Sequence, residues 1–263
     1  MSLAFTGEAL SWALEQGVLE VSLHRAPCNE LGVAALAELE LLVPCLTHPD
    51  VRALLLFSRL DSGFSAGADL RALHAGLGAE GWVDGVRAFL DRIHAVFDAL
   101  DQAGIPTFAA VHRVVFGGGL ELMLTCDVVV ADPSARFCLP ELRLGIIPGF
   151  GAIPRLTRDL AGPVVRDLLL TGRSLGARRA YEAGLVAHLA SPGKSLDLAR
   201  SLARQAAKFP VAATAAAKLL AKPLPRAALD REKDLFCALV VRPEVTAALG
   251  RFVADASTRP YLP

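Results

Sequence analysis

The chain has 263 residues, enough for one large domain with a sizeable core, and its 27 Lys+Arg balance 27 Asp+Glu to a formal net charge of zero. That balance supplies no global basic field to gather nucleic acid, so nucleic-acid binding is not expected. The start, Met1-Ser2-Leu3-Ala4-Phe5, lacks a basic segment leading into a long apolar core, and no stretch offers about twenty uninterrupted apolar residues, so neither secretion nor membrane insertion is expected. In chain order, Val18–Leu23 alternates as a strand does, and Leu31–Leu46 has helical apolar spacing that ends near Pro44 and Pro49. A buried strand is predicted over 51–57, a helix over Trp82–Leu100, a strand over Ile105–Val111 and another over Val128–Ala131. Strands alternating with helices imply an α/β layered core. Beyond residue 160 the pattern is almost all helix, broken at Pro163, Gly172, Gly184, Pro192, Pro210 and Pro223. Five cysteines, Cys28, Cys45, Cys126, Cys138 and Cys237, are dispersed and without metal-ligand spacing, which suits buried small hydrophobes in a reducing cytoplasm.

The most informative feature is a pair of carboxylates around a glycine run: Phe116-Gly117-Gly118-Gly119-Leu120-Glu121, followed downstream by Pro140-Glu141-Leu142. Successive glycines let a ligand approach main-chain N–H groups, and a helix start at this point offers free donors for a developing oxyanion. Two carboxylates beside such donors suit acid/base chemistry. Taken alone, the same residues read as a tight turn with a dipole-favoured acid. A second small-residue segment, Ser62-Gly63-Phe64-Ser65-Ala66-Gly67-Ala68-Asp69-Leu70, follows the strand at 51–57 and again exposes backbone.

Together with Leu139-Pro140-Glu141-Leu142-Arg143-Leu144-Gly145-Ile146-Ile147-Pro148-Gly149, Arg155-Leu156, Leu170-Thr171-Gly172 and Ala180–Val186, these stretches make the chain resemble the crotonase superfamily, the enoyl-CoA hydratase/isomerase group, over nearly its whole length. The resemblance implies an α/β crotonase-like spiral of ββα units over 1–190 with a helical C-terminal region over 191–263, assembled as a homotrimer or a dimer of trimers. It implies oxyanion-hole N–H groups at Ala68 and Gly118, each donor worth roughly 3 kcal/mol in comparable sites. It also implies Glu121 and Glu141 as the acid/base pair of a 2-enoyl-thioester hydratase, or of the reverse 3-hydroxyacyl dehydratase, with no metal or redox cofactor. A double-bond isomerase or decarboxylase of the same superfamily is the alternative, and a non-catalytic acyl-thioester or RNA-binding scaffold is a third reading that the two glutamates disfavour.

Arg25, Ala66 and Phe252 are the positions the resemblance offers to the coenzyme A moiety, Phe252 being equally well a core residue. Asp69 reads as a helix N-cap rather than a catalytic acid. His24 and His112 read as structural, whereas His74 and His94 sit where the family lines its acyl pocket. Three departures from the family pattern stand out. His112-Arg113 replaces an Asn-Gly pair, Phe150-Gly151-Ala152-Ile153-Pro154 adds bulk near Glu141, and the segments around Arg25 and Phe252 lack customary lysines. Fewer phosphate-binding cations make acyl carrier protein a candidate carrier beside coenzyme A.

Overall fold

The computed structural model describes residues 2–254, with a seven-stranded and a four-stranded sheet and helices around both. The strands are β1 (Ala4–Thr6), β2 (Leu10–Glu15), β3 (Val18–Leu23), β4 (Ala53–Ser58), β5 (Gly63–Ser65), β6 (Thr107–Val111), β7 (Val114–Phe116), β8 (Val128–Ala131), β9 (Arg136–Cys138), β10 (Leu175–Gly176) and β11 (His188–Leu189). The larger sheet runs β1-β2-β3-β4-β6-β8-β11, antiparallel through β3 and parallel from β3 onward.

Side chains alternate across a strand, so these parallel strands must bury both faces. Leu54, Leu56, Ala109 and Val111 enter the main core, while Ala53, Leu55, Phe57, Phe108 and Ala110 face the other way. That second face is covered by the helix Ser195–Ala206, whose buried Ala199 and Ala203 bring it close to the sheet.

The smaller sheet, β10-β9-β7-β5, positions the site. Its strands β5, β7 and β9 are parallel neighbours, pairing Gly63 with Val114, and Val114, Val115 and Phe116 with Arg136, Phe137 and Cys138. Their C-terminal ends therefore release Ala66-Gly67-Ala68, Gly117-Gly118 and Leu139-Pro140-Glu141 side by side. Ligands of open α/β sheets bind at such carboxyl ends.

Most predicted elements are present with small shifts in boundary. The expected helix over Leu31–Leu46 is shorter, Val33–Leu42, and tightens into a 3₁₀ turn, Val43–Thr47, with Pro44 at its start. The break expected at Pro163 is instead the opening of a helix, Gly162–Thr171, where a missing N–H costs nothing. Beyond residue 160 the chain is almost all helix, as read, the exceptions being β10 and β11, two-residue strands too short to show any alternation. The turn at His112-Arg113 is kept with Arg113 at φ 47°, and its guanidinium donates to the Asp61 carbonyl at 2.7 Å. All five cysteines are free thiols, Cys45, Cys126 and Cys138 being buried.

Candidate active site

Ala68 and Gly118 meet at the mouths of β5 and β7. Leu31 bridges to Ala68, donating to the Gly67 carbonyl at 2.7 Å and accepting from Asp69 N at 3.2 Å. In an extended segment alternate N–H groups point opposite ways, so the Ala68 N–H is directed away from Leu31. Toward the other side, a methyl placed on Gly118 would lie 3.2 Å from the Ala68 nitrogen. Gly118 opens the short helix Gly118–Met123, whose first N–H groups have no intrahelical partner. Gly117 reaches it through φ 48°, ψ −127°, a conformation that glycine alone adopts readily. The turn upstream is pinned as well: the Ser65 hydroxyl donates to Asn29 O at 2.7 Å and accepts from Gly67 N at 3.1 Å. Asp69 caps the helix Leu70–Ala75 by accepting from Ala72 N at 3.0 Å.

Glu121 is 2% exposed, and its Oε1 accepts the N–H groups of Phe150 and Ala152 at 2.8 and 3.0 Å. Burial nevertheless raises its carboxyl to about 7, the backbone N–H bonds and Arg155 opposing that rise. Glu141, in the 3₁₀ turn after β9, is held well above the usual carboxylate range by burial and then by the charge of Glu121. Its Oε2 is buried with no hydrogen-bond partner among the described residues, and Oε1 lies 2.8 Å from where a Gly117 side chain would begin.

Ala66, Ala68, Gly118, Glu121 and Glu141 all line one cavity of about 280 Å³. Its remaining wall is chiefly apolar, including Leu70, Trp82, Phe89 and Phe236, and it is closed beside Gly118 by Phe150. The Phe150 ring packs on Phe89 and Phe97 at centroid distances of 5.9 and 6.0 Å, and its Cε2 would be 2.8 Å from a Gly118 methyl.

Other predicted residues fall outside the cavity lining. Arg25 lies beside it, its guanidinium donating to the Glu30 carbonyl at 3.2 Å and paired with Asp69 at 3.4 Å and Glu8 at 3.7 Å. Phe252 is buried in the core, with the Arg71 guanidinium 5.4 Å above its ring. His94 is buried and kept neutral by desolvation, down to about 4. Its Nε2 sits 2.7 Å from the Gly149 carbonyl, which can only accept, so that nitrogen carries the proton.

Two supporting roles escaped the sequence reading, that of Arg155, which the resemblance matched without giving it a task, and that of Glu232. Arg155, fully buried on the helix Ala152–Asp159, donates to Asp98 and Asp101 at 2.7 Å each and to the carbonyls of Phe150 and Gly151, fixing the loop that holds Glu121. Glu232 accepts from Ile153 N at 2.9 Å and is 4% exposed. Its sequence context, Arg231-Glu232-Lys233-Asp234, looks like a solvated charge run; the usable signal is its register with Leu229, Phe236 and Val240, the other buried positions of the helix Arg226–Val240.

Among the described residues no helix is long and apolar enough to cross a membrane, and no group of three His, Cys, Asp or Glu is placed to hold a metal ion. The chain matches the enoyl-CoA hydratase/isomerase family over residues 13–253, and it belongs to that family. It is 32% identical to the carnitinyl-CoA dehydratase of Escherichia coli (strain K12) over 212 residues, 80% of this chain and 79% of that protein. Among solved structures it resembles an enoyl-CoA hydratase from Bacillus halodurans, with a TM-score of 0.85 at 22% identity over 92% of this chain and 99% of that one. It also resembles an enoyl-CoA hydratase/isomerase from Pseudoalteromonas atlantica T6c, with a TM-score of 0.81 at 26% identity over 94% and 97% of the two chains. The fold is thus that of the crotonase enzymes.

Proposed function

We propose that this enzyme hydrates a 2-enoyl thioester, or dehydrates the corresponding 3-hydroxyacyl thioester, in the cavity where β5, β7 and β9 end. The observation that carries the reading is one apolar cavity presenting two carboxylates, Glu121 buried and Glu141 half-buried with its Oε2 shielded, beside the converging backbone of Ala68 and Gly118. The thioester oxygen accepts from the Ala68 and Gly118 N–H groups, which hold the enolate charge without reorganising. Glu121, already accepting two N–H bonds, is the group that more readily ionises and takes a proton from water as the water oxygen bonds to Cβ. Glu141, kept protonated by burial and by Glu121, gives its proton to Cα. Glu141 then ends as the carboxylate and Glu121 as the acid, and one proton returning from Glu121 to Glu141 restores the start. Dehydration runs the same steps backward. The relatives' names support hydratase-type chemistry on an acyl-CoA.

The test is product mass from a panel of enoyl thioesters, combined with single carboxylate variants. A gain of one water is expected, and Glu121→Gln and Glu141→Gln should each lower kcat by about 10²-fold or more. Isomerised product at unchanged mass, with Glu121→Gln fully active, would replace this reading by a one-carboxylate isomerase.

A further inference from the structure

The helix Ala152–Asp159 receives two carboxylates at its N-terminus. Glu121 takes the N–H groups of Phe150 and Ala152, and Glu232, arriving from the helix Arg226–Val240, takes that of Ile153. Both are buried, and Glu232 Oε1 has no hydrogen-bond partner among the described residues. The two therefore share one source of positive potential, the dipole end and free N–H groups of a single helix.

Charge accounting argues against both being ionised. Arg155, on the same helix, acts on both glutamates, but its guanidinium is committed to Asp98 and Asp101. Asp101 is also met by Arg158 and Lys222, so that network is anchored on the aspartates. Glu141, half-buried in the turn after β9, adds a third carboxylate beside Glu121. His94, which faces the neighbouring Gly149 carbonyl, is neutral and contributes no compensating charge. On its far side Glu232 lines a second cavity, of about 410 Å³, with Ile153, Thr157 and the cations Arg158 and Arg231. Like charges on one buried site favour keeping a proton, and burial and Glu121 together push Glu232 well above the usual carboxylate range.

We propose that Glu121 and Glu232 hold one proton between them at this helix N-terminus, Glu232 keeping it, so that Glu232 is a positioning residue that leaves the helix end to the Glu121 carboxylate without touching substrate. The kinetic consequence rests on Glu121 being the water-activating carboxylate; the titration itself does not. Protonation of such a pair belongs to both members, and removing one charge lets the other ionise at lower pH.

Glu121→Gln tests this, because the amide oxygen still accepts from Phe150 and Ala152 while the charge is gone. The free protein, carbon-labelled at its glutamate carboxyls, is titrated by NMR, with the Glu232 resonance assigned by its loss in Glu232→Gln. The expected result is a Glu232 midpoint lower by about one pH unit in Glu121→Gln. In Glu232→Gln, whose amide mimics the protonated acid, the Glu121 midpoint and the acidic limb of kcat/KM should stay in place, and a fall of either by about one pH unit overturns the proposal. A purely structural pairing would leave the Glu232 midpoint unmoved in Glu121→Gln, and coincident midpoints in that folded variant overturn the proposal. If that variant does not fold, the wild-type order serves: Glu232 must titrate above Glu121, and the reverse order overturns the proposal equally. A protein inert on every thioester whose Glu232 midpoint still shifts refutes the hydratase reading and leaves the shared proton standing. An active hydratase with coincident midpoints does the reverse.

Discussion

Glu121 and Glu141 are stored in a form that costs stability. Each binds its proton more tightly in the folded chain than in the unfolded one, where an ordinary glutamate titrates near 4.5. The native state thus carries more protons than the unfolded state above about pH 4.5, and stability falls as pH rises through the raised value of about 7. Replacing Glu121 by Gln removes its share of that loss while keeping an oxygen for the Phe150 and Ala152 N–H groups. The variant should therefore gain on wild type as pH rises from about 4.5 and level off above about 7, the gain reaching on the order of 1–3 kcal/mol in chemical denaturation series at matched pH. A constant difference across pH would mean that Glu121 titrates as it does in the unfolded chain. These two carboxylates and the small residues opposite them were legible because their motifs are contiguous in sequence. Glu232 was not, because its charged neighbours Arg231, Lys233 and Asp234 mask the register it shares with Leu229, Phe236 and Val240.

At the level of elements, sequence patterns locate buried strands well and their pairing poorly. The apolar runs of β4 and β6 announce strands covered on both faces, but nothing in them says that β5, β7 and β9 form a separate sheet. That pairing is non-local, and the motif resemblance supplied what periodicity lacked. The helix Ser195–Ala206 illustrates the same limit: its alanines read as helix formers, whereas in the fold they are the contact that seats the helix on Phe108 and Ala110. Because Ala203 is fully buried on the sheet face opposite the main core, Ala203→Leu should overpack that layer and lower stability by about 1–3 kcal/mol while leaving kcat at 25 °C unchanged. Denaturation midpoints and initial rates on the same preparation check both halves.

At the scale of the whole molecule, the candidate cavity has an apolar interior, and two cations beside it, Arg25 and Arg71, are already engaged. Arg25 pairs with Asp69 and Glu8, and Arg71 pairs with Glu30 at 3.7 Å and covers Phe252. Guanidiniums leaning on carboxylates offer less to the phosphates of a nucleotide. We therefore expect pantetheine or carrier-protein thioesters of one acyl group to be used within about tenfold of the coenzyme A thioester in kcat/KM. A hundredfold preference for coenzyme A, about 2.7 kcal/mol of transition-state binding, would show that the phosphates are gripped after all.

The three successive glycines have a consequence for how this sequence can drift. A side chain at Gly117 would run into Glu141, one at Gly118 into Phe150, and one at Gly119 into Ser65. Glu141 is the proton donor of the proposed reaction and Ser65 is locked by its bonds to Asn29 and Gly67, so on that reading the first and third positions are frozen by partners that cannot yield. Only the Phe150 ring has freedom to shrink. Mutational history at this site therefore has a direction: residue 150 must become smaller before residue 118 can become larger, and the reverse order passes through a chain that has lost the space above its own backbone donor.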